Sequence, residues 1–347
     1  VHTPRHILVI RLSAMGDVAM MVPVLRALRE AQPALKITVL SRPFLRPLFD
    51  QIPEVQFYAA EVNGKHKGIK GLYQLAQEIK ALEVDAVADL HGVLRSQILR
   101  KFLALSRMKC AVIEKGRSEK KALVRPTNKD FKPLKSSHQR YAQVFEKLGC
   151  TISLGPTATR LKLPLNEHIQ NVVGTEPTQW IGIAPYAQHA AKMYPPDLMR
   201  ELIEGLAKTT QAKILLFGGG KKEKEELEQL AKSIKGAVLS IVGALNFTDE
   251  LALISNLDIM VSMDSANGHL AANYGVPVLT LWGGTHPYAG FAPFNQEQKN
   301  QFIPDLTKYP KLPTSIYGNK VVKGYEDVMR TIDPTVVLQR ILNVLGL

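Results

Sequence analysis

The sequence predicts an α/β protein of two doubly wound domains, each a parallel sheet covered by helices on both faces. Strand-like apolar runs alternate with amphipathic helical stretches along almost the whole chain. The runs are near-continuously apolar, as strands buried on both faces are, and helical crossovers join them in parallel. A length of 347 residues exceeds one ordinary core and favours two domains.

In the first half the expected strands are His6–Leu12, Lys36–Ser41, Val55–Ala60, Asp85–Leu90 and Cys110–Glu114. Helical patterns at Val18–Glu30, Ile69–Leu82 and Val93–Leu105 separate them. Val18, Met21, Val22, Leu25 and Leu28 recur at helical spacing and make one apolar face, and Pro23 should kink that helix. Leu163 to Pro177 is turn-rich and suits a linker. Beyond it, strands are expected at Trp180–Tyr186, Ala212–Gly218, Val238–Gly243, Leu257–Met263 and Val278–Gly283. Helices at Pro196–Thr209, Lys222–Ile234, Thr248–Ser255 and Ser265–Tyr274 lie between them. The expected domains are 1–165 and 178–330, with a last helix in 333–347 crossing back to the first. The result is two Rossmann-like domains with sheets facing a central cleft, and ligands in such sheets bind beyond the carboxyl ends of the strands.

Composition narrows the class. The chain is 46% hydrophobic and 22% charged, and no apolar run approaches the roughly 20 residues that span a bilayer. The first strand begins almost at once, without signal-peptide architecture, so a cytoplasmic protein is expected. Cys110 and Cys150 sit in apolar settings and suggest neither a disulfide framework nor a zinc site. The formal charge of +13 is concentrated: Arg95 to Arg140 holds fourteen Lys or Arg against three acids. Such a stretch favours an anionic membrane surface or a polyanionic substrate. Nucleic acid is the weaker reading, because Phe102 and Phe131 are too sparse for a stacking platform.

Four loops could carry chemistry. Asp264-Ser-Ala-Asn-Gly-His269 follows a buried strand and opens a short helix, where free N–H groups and the dipole suit a phosphate. Arg11-Leu-Ser-Ala-Met-Gly-Asp17 has one glycine, not the three of a dinucleotide fingerprint. Its Asp17 reads equally as an N-cap or as a carboxylate that takes a proton from an attacking hydroxyl. Lys192 precedes a helix and can pair with a phosphate. Gly218-Gly-Gly-Lys-Lys-Glu223 permits close backbone approach but is not a Walker A loop. Glu223 also suits the first turn of its own helix. Leu281-Trp-Gly-Gly-Thr-His286 could wall the pocket, and His286 and His269 lack metal-ligand spacing.

These motifs, in this order and spacing, resemble the family nine glycosyltransferases, the heptosyltransferases of lipopolysaccharide core assembly. The His91-Gly-Val-Leu-Arg-Ser96 and His138-Gln-Arg-Tyr141 segments are similar to acceptor-side segments of that family. The resemblance implies a GT-B fold and an inverting, metal-independent transfer, without a cofactor, from an ADP-heptose-type donor. It implies that Asp17 is the catalytic base and that Lys192, Glu223, Asp264, Ser265, Ala266, His269, Gln188 and Leu245 bind the donor. Ser13, Gly16, His91, Arg95, Arg117, Lys120 and Lys121 would meet an anionic glycolipid acceptor from the inner face of the cytoplasmic membrane. Two departures stand out: Ser265-Ala266 replaces the family's frequent Thr-Gly, and Ala187-Gln188 stands where small hydroxyl residues are common. The alternatives are a GT-B enzyme for another nucleotide-sugar or cell-envelope acceptor, and a non-catalytic polyanion-binding protein.

Overall fold

A computed structural model describes residues 4–104, 108–155 and 160–347; Leu105, the expected end of one helix, lies outside them. The chain splits into two compact units. One is Val1–Lys115 with Lys135–Pro156, and the other is Gly116–Leu134 with Thr157–Leu347. In chain order the first stretch forms β1 (His6–Ile10), α1 (Met15–Ala19), α2 (Met21–Ala31), β2 (Lys36–Ser41) and β3 (Val55–Ala59). It continues with α3 (Gly68–Lys80), β4 (Ala86–Asp89), α4 (Leu94–Ala104), β5 (Lys109–Val112), α5 (Arg117–Leu123) and α6 (Ser137–Lys147). The remainder forms α7 (Glu167–Val173), β6 (Trp180–Ala184), α8 (Pro196–Thr209), β7 (Lys213–Leu216), α9 (Gly220–Ser233) and β8 (Val238–Ser240). Last come α10 (Phe247–Asn256), β9 (Ile259–Met263), α11 (Ala266–Ala272), β10 (Val278–Leu281), β11 (Gln301–Phe302) and α12 (Pro334–Leu345).

The first sheet runs β3-β2-β1-β4-β5 and the second β11-β10-β9-β6-β7-β8. Every pairing between these strands is parallel, for example Ile7 with both Ile37 and Ala86, and Ile181 with both Ile214 and Ile259. Strand order reverses between β1 and β4 in one unit and between β6 and β9 in the other. Those switch points are where an open parallel sheet leaves a crevice for ligands. The inner strands β1, β2, β4, β6, β7, β9 and β10 are buried along nearly their whole length, so their sequences read as continuous rather than alternating apolar runs. The outer strands β3, β5, β8 and β11 are only partly buried.

The structure corrects several expectations. The helix expected at Val18–Glu30 is two helices that meet at Met20. Pro23 has no N–H to give the Ala19 carbonyl, so the chain breaks just ahead of it instead of bending through it. The linker region contains α7, whose N-cap Asn166 accepts the Ile169 N–H and whose end is Gly174 with φ +83°. The last helix does not return to the first domain. Its apolar stripe, Val337, Ile341 and Leu345, joins the core with Met199, Leu202 and Leu206 of α8. The segment Gly116–Leu134 also belongs to the second unit, where Leu123 clusters with Ala289 and Ile316. Its sparse apolar residues were masked in the sequence by the charges around them.

Candidate active site

At the β1/β4 switch point the chain leaves β1 with a buried arginine. The Arg11 guanidinium donates to the Leu90 carbonyl at 2.6 Å, ion-pairs with Asp17 and lies 5.9 Å from the centre of the Tyr141 ring. Asp17 is not the N-cap. Ala14 takes that position, and Asp17 sits in the first turn of α1, facing back toward the Ala14 N–H at 3.4 Å. The Tyr141 hydroxyl donates to the Asp17 carbonyl at 3.1 Å. The carboxylate is thus oriented from one side by a fixed cation, while its side chain stays 31% exposed. That exposure leaves room for an incoming hydroxyl.

The loop after β4 is organised by Asp89, which is fully buried. Its carboxylate accepts the His91 and Gly92 N–H groups at 2.9 and 2.8 Å and Nε of Arg100 at 2.8 Å. This turn sets the His91 ring beside Ser13, with Nε2 3.5 Å from Oγ. Burial, reinforced by the Arg11 charge, pushes the His91 pKa down to about 4. The ring is therefore neutral near pH 7, a hydrogen-bonding group rather than a cation. Gly16 lies in the first turn of α1, and Arg95 is exposed in the first turn of α4.

At the β6/β9 switch point the central feature is an ion pair. Lys192 Nζ lies 2.8 Å from Asp264 Oδ2 and donates to the Asp264 carbonyl at 3.3 Å. Both side chains are largely buried. Lys192 closes a short 3-10 turn (Ala190–Lys192), and Asp264 directly follows β9. Ser265 is the N-cap of α11 but makes no side-chain capping bond, and its hydroxyl has no hydrogen-bond partner among the described residues. Ala266 and the buried His269 follow on the same helix. Gly268 lets α11 sit on the sheet, since a Cβ there would fall 2.6 Å from Ser262 Oγ.

Three glycines that sequence reasoning did not assign hold Lys192 in place. The Gly284 N–H donates to the Ala191 carbonyl at 2.7 Å, and a Cβ on Gly283 would stand 2.2 Å from that oxygen. Gly318, with φ +73°, packs against the lysine stem, where a Cβ would lie 2.5 Å from Lys192 Cγ. Only the Gly283-Gly284 pair left a signal, directly after an apolar strand.

The remaining expected residues take the following places. Glu223 accepts the Gly219 N–H at 2.7 Å and so caps its own helix. Gln188 is exposed in the loop after β6, and Leu245 is half-buried just ahead of α10. His286 Nδ1 accepts the Tyr288 N–H at 3.1 Å, and burial together with the Lys129 charge pushes its pKa down to about 4. A cavity of about 780 Å³ between α8 and α9 is lined by residues such as Tyr186, Met193 and Arg200, but not by Lys192 or Asp264.

The basic stretch is not one free surface. Lys129 donates to the carbonyls of Lys311, Leu312 and Pro313 at 2.6, 2.7 and 3.2 Å, and burial lowers its pKa to about 8. Arg140 donates to the carbonyls of Lys135 and Glu114, both at 3.2 Å. Lys120, expected to meet an acceptor, is buried with Nζ 4.3 Å from the centre of the Phe291 ring. Its stem follows the apolar face of α5 inward, whereas Arg117 and Lys121 remain exposed on that helix.

Two doubly wound units, with an oriented carboxylate at one switch point and a buried Lys–Asp pair at the other, have the architecture of a GT-B glycosyltransferase. The family model described as Glycosyltransferase family 9 (heptosyltransferase) matches residues 72–319, and the chain belongs to that family. It is 26% identical to lipooligosaccharide heptosyltransferase 2 of Haemophilus influenzae over 98% of this chain and 99% of that one. Its fold is similar to the family 9 glycosyltransferase of Veillonella parvula (TM-score 0.76, 20% identity, 99% and 97% of the two chains). It is also similar to ADP-heptose lps heptosyltransferase II of E. coli (TM-score 0.70, 20% identity, 98% of each chain).

Proposed function

We propose that the chain transfers a heptose from ADP-heptose to a lipopolysaccharide core acceptor, with inversion and without a metal ion. The observation that carries this reading is the Lys192–Asp264 pair at the β6/β9 switch point, a cation at the carboxyl edge of the sheet, the edge at which open parallel sheets bind ligands. The acceptor oxygen forms a bond to the anomeric carbon as the bond from that carbon to the diphosphate oxygen breaks. Asp17 takes the hydroxyl proton, and ADP leaves with the bonding pair. Lys192 and the N–H groups at the start of α11 offset the charge that develops on the diphosphate, a contribution of about 3 kcal/mol per donor. The neutral His91 and Ser13 orient the acceptor hydroxyl. His269 contacts the diphosphate, and Glu223, Gln188 and Leu245 border the donor.

Names of relatives support the substrate pair: one is a lipooligosaccharide heptosyltransferase, and a solved heptosyltransferase of E. coli holds ADP. No helix among the described residues is long and apolar enough to cross a membrane. The proposed acceptor is a lipid-anchored glycan, and on this reading the enzyme works as a peripheral protein at the inner face of the cytoplasmic membrane. Titration with ADP, UDP and GDP tests the donor, with ADP expected to bind tightest. Asp17→Asn should keep ADP affinity and lose about 10²–10⁴-fold in turnover on truncated lipopolysaccharide. Near wild-type turnover in that variant removes Asp17 from the base role. A different nucleotide-sugar is the second reading, favoured by Ser265-Ala266 and Ala187-Gln188, and tightest binding of UDP or GDP would select it.

A further inference from the structure

The carboxyl edge of the first sheet carries bulky apolar side chains that are half or more exposed. Phe44 follows β2 and is 51% exposed, and Ile69 and Tyr73 on the first turns of α3 are 66% and 52% exposed. Leu94, the first residue of α4, is 72% exposed. α3 follows β3 and α4 follows β4, so in a parallel sheet both helices begin at the same edge. They pack on each other, with the Tyr73 and Phe102 rings edge-to-face at 5.5 Å. The buried face of α3 is Gly71, Leu72, Leu75, Ala76 and Ile79, so Ile69 and Tyr73 are surplus to the core.

Cations are interleaved with these side chains. Lys67 and Lys70 flank Ile69, and Arg42 precedes Phe44; all three are without an ion pair among the described residues. The nearby acids in sequence are already engaged. Glu61 and Glu78 both face Lys65, at 3.9 and 3.6 Å, and Asp50 faces Arg46 at 3.8 Å. The edge thus presents exposed apolar residues, one of them a tyrosine and two of them neighbours one turn apart on α3, among lysines and an arginine without ion pairs among the described residues. The unpaired charges around these side chains are all cationic, which matches a surface of one negative sign. An anionic bilayer accepts single apolar side chains between headgroups, tyrosine at the interface, and lysines whose stems lie along it.

We propose that this edge, centred on Ile69, Tyr73 and Leu94 with Lys67 and Lys70, is the surface that docks on an anionic lipid bilayer. It deepens the proposed function, because Asp17 and His91 lie on loops at the same edge of that sheet and a lipid-anchored acceptor would reach them from this side. Membrane contact then falls to α3 and the start of α4 rather than to the exposed cations of α5.

The test is co-sedimentation of the full chain with vesicles of phosphatidylglycerol mixed with phosphatidylcholine, against phosphatidylcholine alone, at about 0.1 and 0.5 M salt. The chain should bind the anionic vesicles at low salt and release from them at high salt. Lys67→Ala with Lys70→Ala should weaken binding roughly 30-fold, at about 1 kcal/mol for each cation. Ile69→Ser with Tyr73→Ser and Leu94→Ser should weaken it at least tenfold, and both sets should keep wild-type ADP affinity. Failure of the wild type to bind, or equal binding by both variants, overturns the assignment. So does a loss in the apolar variant of self-association measured by sedimentation velocity, which would make this a face between copies. Absent ADP binding by the wild type would instead count against the donor reading and leave the vesicle result standing.

Discussion

Lys192→Met separates the two jobs that the buried lysine could do. At 2.8 Å a unit pair attracts by about 6 kcal/mol at an effective dielectric constant near 20, much of it offset by the cost of burying both groups. Removing the lysine leaves the Asp264 carboxylate buried without its cation, and breaking such a pair costs about 3–5 kcal/mol. For a unit of this size that is a fall in Tm of roughly 10 °C. If the lysine also meets the diphosphate, the variant loses a hydrogen bond to a charged group worth about 1.5–3 kcal/mol, or roughly 10- to 150-fold in ADP affinity. Differential scanning calorimetry and titration calorimetry on the same preparation read the two effects. A large fall in Tm with ADP affinity within twofold of wild type would refute the phosphate role and leave Lys192 a structural partner of Asp264.

Gly318→Ala should weaken ADP binding about tenfold while Asp17 chemistry is untouched, because its Cβ would press on the lysine stem at a positive φ; unchanged affinity in titration would show that the lysine is not held from that side. Lys120→Ala should lower the Tm of the second unit through loss of a buried cation–π contact worth about 1–2 kcal/mol. Lys121→Ala should leave it unchanged, and thermal scans of the two variants check the contrast. His91 and His286 both have pKa values near 4 in the folded chain, below the unfolded value. Unfolding therefore binds protons between about pH 6.5 and 4, and stability falls as pH drops through that window by roughly 1.4 kcal/mol per pH unit for each ring. Glu250, pushed up to about 7 by burial, acts in the opposite sense, losing stability as pH rises from the usual carboxylate range through 7. Comparing denaturant midpoints of His286→Gln and wild type across that range isolates one ring, and equal slopes would show that it does not titrate as described.

Periodicity made the sheets legible. Ile7-Leu-Val-Ile10 and Ile259-Met-Val-Ser-Met263 are almost wholly apolar because both faces are buried, and their shortness beside longer amphipathic helical patterns marks them as strands. The loops carrying Asp17, Lys192 and Asp264 were legible because they follow such strands. What sequence could not give was partnership. Whether Lys120 points to solvent or to Phe291 depends on a contact 171 residues away. That Glu223 turns back on its own helix shows only in its 2.7 Å bond with the Gly219 N–H. α7 was hidden by Pro164 and Pro177 on either side of it, and β11 by having two residues, one of them polar. The clasp of Gly283, Gly284 and Gly318 around Lys192 joins segments more than 90 residues apart, and composition alone does not single out such glycines.

The excursion of Gly116–Leu134 has a practical consequence for dissecting the molecule. The backbone passes from one compact unit to the other three times, so neither corresponds to an uninterrupted stretch of gene. A fragment begun after the last passage would lack the residues that cover Ala289 and Ile316 and the ammonium that gathers the carbonyls of Lys311 to Pro313. Expressed alone it would expose that apolar patch and tend to aggregate. Separable halves call instead for a circularly permuted or grafted chain that carries the excursion along.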